Sequence, residues 1–164
     1  MNEKLEQHFV IELEKNQNLI HKVCRIYAEN LDERNDLFQE ISIQLWKAYK
    51  TFKGESKFST WAYRVALNTA ISLYRKKSNK LNTTPIDFSF YQFKYEDYNE
   101  DDELKLKKMY SAIHQLNDID KAFVFLYLED KNHAEIAETL GINEGNVRVK
   151  LNRIKTRLTK LISE

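Results

Sequence analysis

At 164 residues the chain is long enough for one ordinary domain or two minimal helical ones. Its composition, 42% hydrophobic and 31% charged with three Gly and one Pro, excludes a disordered chain and supplies too few turn-formers for an all-β fold, so an all-α fold is expected. The formal net charge of +1 conceals a segregation: residues 1–80 carry 14 Lys/Arg against 10 Asp/Glu, residues 81–103 one against seven, and residues 104–164 11 against eight. Two mildly basic blocks therefore flank an acidic strip, a pattern compatible with nucleic-acid binding despite the neutral average.

In the first block, Leu5, Phe9, Leu13, Leu19, Ile20, Val23, Cys24 and Tyr27 recur at three- and four-residue spacings, which predicts amphipathic helix with a break near Asn16–Asn18. Cys24 is the only cysteine, so no intramolecular disulfide can form, and its apolar setting suits a buried thiol in a reducing compartment. A second helix follows from Asp36 through Leu37, Phe38, Ile41, Leu45, Trp46 and Tyr49, with Asp32 or Asp36 as candidate N-cap. Thr51 to Lys57, which includes Gly54, breaks the period and reads as a loop. Phe58, Trp61, Ala62, Val65, Ala66, Thr69 and Leu73 then define a third helix ending in Arg75-Lys76-Lys77.

Residues 79–103 hold the only proline, Pro85, and no helical period, and are expected to be a flexible acidic linker. They also hold Phe88, Phe90, Tyr91, Phe93, Tyr95 and Tyr98, too many rings for a linker that stays wholly in water, so part of it is expected to dock. Helical spacing resumes at Leu104, Leu106, Met109, Tyr110, Ile113 and Leu116. After Asn117-Asp118 comes a dense apolar helix at Phe123, Val124, Leu126, Tyr127 and Leu128.

The strongest local signal is a helix-turn-helix. Asn132 with Glu135 three residues on makes a capping box, Ile136, Ala137 and Leu140 point inward, and Gly141 supplies the left-handed residue that ends the helix. Asn143 can cap the next helix, Glu144 to about Ile162, whose apolar stripe is Val147, Leu151, Ile154, Leu158 and Leu161. Its remaining face carries Arg148, Lys150, Arg153, Lys155, Arg157 and Lys160 with no acid from Gly145 through Ser163. A solvated face normally mixes signs, so this one calls for a negative partner, and duplex DNA is the expected one. Asn146, Arg148, Val149, Lys150, Asn152 and Arg153 lie where an inserted helix meets base edges. Arginine suits guanine and asparagine suits adenine, each pair being worth about 1–3 kcal/mol of discrimination. Lys155, Arg157 and Lys160 lie further along, at the level of phosphates.

Residues 36–77 resemble the second conserved region of sigma factors of the extracytoplasmic-function (ECF) group. The likeness lies in the Asp-Leu-Phe-Gln-Glu opening, the Phe-Lys-Gly-Glu-Ser loop and the Trp-Ala-Tyr-Arg-Val-Ala-Leu-Asn helix. Residues 104–162 resemble the fourth region of that group. The resemblance implies two small helical domains, residues 1–78 and 104–164, the second a four-helix domain with the helix-turn-helix, joined by the linker 79–103. It implies that Asp36, Leu37, Gln39, Glu40 and Leu45 face core RNA polymerase. It further implies that Phe52, Lys53, Gly54, Ser56, Lys57, Trp61, Arg64 and Asn68 read the melted minus-ten element, while Asn146, Arg148, Val149, Lys150, Asn152, Arg153 and Arg157 read the minus-thirty-five element as duplex. Extruding a base costs a few kcal/mol, recovered by stacking and by hydrogen bonds to its exposed edge, and a glycine loop beside Phe52, Phe58 and Trp61 offers both. Trp61 is equally well spaced for helix core. The sequence departs from the family pattern at Lys50, where many relatives carry proline ahead of the loop. The linker resembles the family segment that threads the polymerase's RNA-exit path.

A free-standing helix-turn-helix regulator would account for residues 132–162 but not for the Asp36–Asn68 block, and no dimerisation helix is evident. An enzyme is not expected: His8, His21, His114 and His133 are scattered without ligand spacing, and there is no phosphate loop or nucleophile constellation. No cofactor or metal is expected. The expected partners are core RNA polymerase and promoter DNA, with an anti-sigma factor as a further candidate by family resemblance. The chain is expected to be monomeric when free, without membrane insertion, and cytoplasmic, because no apolar run reaches the roughly 18 residues of a membrane span.

Overall fold

The computed structural model describes residues 2–78 and 100–163, with side chains from 3 to 74 and from 100 to 163. The described residues form eight α-helices and no strand: α1 (Asn2–Lys15), α2 (Gln17–Tyr27), α3 (Leu31–Tyr49), α4 (Phe58–Ser78), α5 (Glu100–His114), α6 (Asp118–Leu128), α7 (His133–Leu140) and α8 (Glu144–Ser163). The expectations for residues 79–99, including docking of the aromatic segment, fall outside the described residues.

Helix boundaries follow local chemistry. The break between α1 and α2 falls at Asn16, whose side-chain amide donates to the Glu12 carbonyl at 2.8 Å and so satisfies an orphan acceptor at the end of α1. The N-cap of α3 is Asn30, not Asp32 or Asp36: its side chain accepts from the Glu33 amide at 2.8 Å. Asp32 and Glu33 occupy the first turn, where the helix dipole favours negative charge. The capping box at Asn132 and Glu135 is complete, and Gly141 ends α7 at φ 68°, ψ 38°. A side chain at that φ would be strained, which explains the glycine. The other end of the α6–α7 connection turns on Asp130, at φ 58°, a residue type that tolerates the left-handed region.

In the N-terminal half, α2, α3 and α4 pack on one another. Leu37, Ile41 and Leu45 stack along one side of α3 at four-residue intervals, each 2% exposed or less. They face Ile20, Val23 and Tyr27 from α2, and Ala62, Ala66 and Ala70 from α4. The three alanines, again four apart, leave room for close helix approach. In the C-terminal half, α6 is buried almost all round from Asp120 through Leu126. The reason is tertiary: α8, α5 and α7 cover part of it, and α2 and α4 of the first half cover another part.

The buried residues consequently form one continuous core from Phe9 to Ile154. Two blocks that the sequence separates by an acidic strip are packed together in the free chain.

Candidate nucleic-acid interface

The apolar stripe of α8 seats the helix: Val147, Leu151 and Ile154 are at most 3% exposed, and Leu158 and Leu161 lie against the same core. Asn146, Arg148, Val149, Asn152, Arg153 and Arg157 all project into solvent. Lys150 stands apart from them, its Nζ 3.1 Å from Oδ1 of the largely buried Asp120. Lys155 is also engaged, with Nζ 4.3 Å from the centre of the Tyr127 ring. Both cations thus sit over α6, and the exposed basic groups of α8 left unencumbered are Arg148, Arg153, Arg157 and Lys160.

The loop after α3 holds the second cluster. Phe52 is tied to the end of α3 through its amide, which donates to the Tyr49 carbonyl at 3.1 Å. Its ring lies 4.7 Å from Trp61 and 6.0 Å from Tyr49, stacked on the latter at 23°. Phe58 meets Trp61 at 5.3 Å. Gly54 turns the loop at φ 71°, and Lys53, Ser56 and Lys57 are exposed. A cleft of about 420 Å³ opens here between Phe52, Lys53, Ser56, Trp61 and Arg64 on one side and Glu138 and Thr139 on the other. Asn68 is exposed one turn beyond Arg64 on α4. The cleft brings together five of the eight residues singled out here, while Gly54, Lys57 and Asn68 lie outside its lining. Trp61 serves both readings of its spacing: it packs against the core and walls the cleft.

On α3, Asp36 and Gln39 are exposed, and Glu40, half-buried, accepts from the Gln44 side chain at 3.0 Å. Leu37 and Leu45, expected to face polymerase, are core residues at 2% and 0% exposure; their side of the helix is taken by α2 and α4. The sequence pattern passed over Ile43, which is 47% exposed one turn from Gln39 and Glu40. Ile43 stands two residues from both Ile41 and Leu45, off the buried stripe, and that spacing is the one sequence signal that marks it.

The contacts between the two halves have no signal in the periodicity. Tyr63 Oη donates to Glu129 at 2.9 Å, and Lys22 pairs with the same carboxylate at 3.1 Å. The Tyr63 ring also meets Phe125 at 5.6 Å and lies under the Lys131 ammonium at 5.3 Å. Burial, reinforced by the Glu129 carboxylate, raises the Tyr63 pKa well above the ordinary phenol value and keeps it a donor. Tyr27 Oη donates to the Asp118 carbonyl at 2.6 Å. His114 Nε2 donates to the Arg25 carbonyl at 3.0 Å. Burial pushes the His114 pKa down from 6.5 to about 4, with Lys121 adding to the effect and the Arg25 carbonyl and Glu33 opposing it, so the ring is neutral at neutral pH. Arg64 donates to the Glu138 carbonyl at 2.8 Å and to the Thr139 carbonyl at 3.3 Å.

Helix-turn-helix, exposed basic face and aromatic loop define an all-helical protein of the DNA-binding class. Residues 13–80 match the sigma-70 region 2 family, and residues 106–158 match the sigma-70 region 4 family. Among curated proteins, the chain is 27% identical over 156 residues to the ECF RNA polymerase sigma factor SigW of Bacillus subtilis, covering 88% of this chain and 83% of that one. It is 24% identical over 156 residues to the RNA polymerase sigma-H factor of Pseudomonas aeruginosa, covering 87% and 81%. Solved structures with the same fold include the sigma factor RpoE in complex with the anti-sigma factor NepR from Bartonella quintana, with TM-score 0.75, 17% identity and coverage of 96% and 98%. CnrH in complex with the cytosolic domain of CnrY follows with TM-score 0.67, 17% identity and coverage of 96% and 89%.

The chain belongs to the sigma-70 family, in its ECF group. It is a sigma factor that binds core RNA polymerase and directs it to promoters, and the free-standing regulator is set aside. Among the described residues, no helix is long and apolar enough to cross a membrane.

Proposed function

We propose that the two halves divide promoter recognition between them, residues 1–78 acting on the melted minus-ten element and residues 104–164 on the minus-thirty-five duplex, with 79–103 as connector. The observation that carries this reading is the exposed arginine face of α8, where Arg148, Arg153 and Arg157 stand free opposite a sealed apolar stripe. Asn146, Arg148, Val149, Asn152 and Arg153 are positioned for base edges, and Arg157 for a phosphate. Lys150 joins them only by releasing Asp120.

In the minus-ten half, the cleft beside Phe52 and Trp61 receives a base extruded from the non-template strand, with ring faces for stacking and Ser56 and Asn68 for its exposed edge. Lys53, Lys57 and Arg64 meet phosphates, and Gly54 lets the loop turn back over the base. On α3, Asp36, Gln39, Glu40 and Ile43 form the polymerase-facing stripe. Leu37 and Leu45 support that stripe from beneath without contacting polymerase.

The chain carries no chemistry of its own in this reading; polymerisation belongs to the core enzyme. It acts in the cytoplasm, where that enzyme works. An anti-sigma partner is a natural regulator, since the two structural neighbours named above are each bound to a second protein, which for RpoE is the anti-sigma factor NepR.

The test is run-off transcription of genomic fragments by core polymerase with and without the chain. Defined transcript starts that need the chain are the expected result. Absence of chain-dependent initiation on every fragment would contradict the reading.

A further inference from the structure

The first turn of α6 carries two acids, Asp118 and Asp120, where the positive end of the helix dipole favours them. α8 packs on α6, and Asp120 is only 6% exposed. Its Oδ1 is shut off from solvent and meets no donor at hydrogen-bonding angle among the described residues. The charge that balances it is the Lys150 ammonium, 3.1 Å away. Lys150 sits on α8 between exposed Val149 and buried Leu151, at the border of the basic face. Swinging it out to a DNA phosphate would leave a buried carboxylate without a counter-charge, and that loss outweighs what a solvent-facing ion pair returns. Further along α8, Lys155 rests over the Tyr127 ring of α6, with Nζ 4.3 Å from its centre. α6 therefore holds two of the basic side chains of α8 against the protein.

We propose that Asp120 is a positioning residue that holds Lys150 back from the duplex while the arginines of α8 engage it. The proposal rests on the assignment of α8 to duplex DNA. A lysine on a phosphate strengthens binding to every sequence alike. The tether therefore lowers the affinity of α8 for DNA that carries no promoter, which makes up nearly all of the DNA competing for it. Asp120 reads as an ordinary first-turn acid, yet through Lys150 it sets how many cations the helix brings to the phosphate backbone.

The full chain and its Asp120→Asn variant are titrated with a fluorescein-labelled random-sequence duplex over a series of salt concentrations. Asparagine keeps the shape of the side chain and removes the charge that holds Lys150. Asp120→Asn is expected to bind several-fold more tightly at low salt, with the slope of log affinity against log salt steeper by about 0.9, the effect of one further phosphate contact. Lys150→Gln completes a double-mutant cycle. It should flatten the slope by that amount in the Asp120→Asn background, and in the parent chain by far less than Lys160→Ala does. Equal flattening in both backgrounds overturns the tether, because a lysine already on DNA contributes the same with or without Asp120. An unchanged or shallower slope for Asp120→Asn overturns it too, the shallower one meaning that Asp120 aims Lys150 at the duplex. Active fractions from stoichiometric titration keep a folding defect from passing for a change in affinity. Lys160→Ala tests the reading underneath. A shallower slope for that variant supports the placing of α8 on the duplex, so that a negative result at Asp120 counts against the tether alone, and an unchanged slope overturns the duplex assignment and the tether together.

Discussion

On α8 the side chains proposed to read DNA stand on successive turns of one helix whose opposite face is sealed by Val147, Leu151 and Ile154. At the proposed strand cleft they come from a glycine loop and from α4, while α7 forms the opposite wall. The first surface is open in the free chain and rigidly spaced. The second is partly covered and owes its shape to a turn and a ring cluster. A surface built on one helix keeps its register when its neighbours move, whereas a surface built from three segments changes when any of them does. That difference suits a rigid reader of intact duplex and an adaptable holder of an unstacked strand.

The comparison breaks most severely if the seat of α8 is removed. Leu151→Ala is expected to cost about 2–5 kcal/mol of stability through lost burial and the cavity left behind, measured by denaturant unfolding monitored by circular dichroism. An exposed neighbour such as Asn152→Ala should change the same midpoint very little.

Arg153→Ala tests the open face directly. It is expected to reduce discrimination between cognate and scrambled duplex by about 1–3 kcal/mol, read by competition binding of the holoenzyme. Lys160→Ala should weaken both duplexes about equally, and equal losses from the two variants would remove the distinction between base and phosphate contacts.

The junction between the halves adds a dependence on pH. His114 is held neutral with its pKa lowered to about 4, so an unfolded chain with the ordinary value of 6.5 takes up the proton first as pH falls. This contribution to stability is complete above pH 6.5 and is lost on descent toward pH 4. Linkage puts the loss at roughly 2 kcal/mol by pH 5. His114→Gln, which keeps a donor for the Arg25 carbonyl, is expected to flatten that part of the curve in chemical denaturation at a series of pH values.

The smallest effect is expected at the turn. Asn132→Ala removes the N-cap of α7 and its reciprocal bond with Glu135 at a cost of about 1 kcal/mol. A loss within error of zero in thermal unfolding would mean that tertiary packing alone holds α7 in place.

The elements that were legible in the sequence are those whose partners lie within a few residues. The Asn132–Glu135 box, Gly141, the stripe of α8 and the break at Asn16 each follow from local spacing and capping. Contacts between residues far apart in the chain left no such trace. Nothing in the pattern around Tyr63 or Glu129 marks them as a pair, and Asp120 reads as a first-turn acid until Lys150 is seen beside it. Leu37 and Leu45 show the converse: a motif likeness names positions without distinguishing the side chains that touch a partner from those that hold the helix in place. Burial settles that distinction, and it depends on α2 and α4 as much as on α3.

The central claim is that α8 reads duplex while the Phe52–Trp61 cleft holds a melted strand. The most direct measurement compares initiation by holoenzymes carrying Arg153→Ala or Asn68→Ala on an intact promoter and on the same promoter premelted across the minus-ten element. The defect of Asn68→Ala should shrink on the premelted template while that of Arg153→Ala persists. Defects of the same size on both templates for both variants would contradict the division of labour.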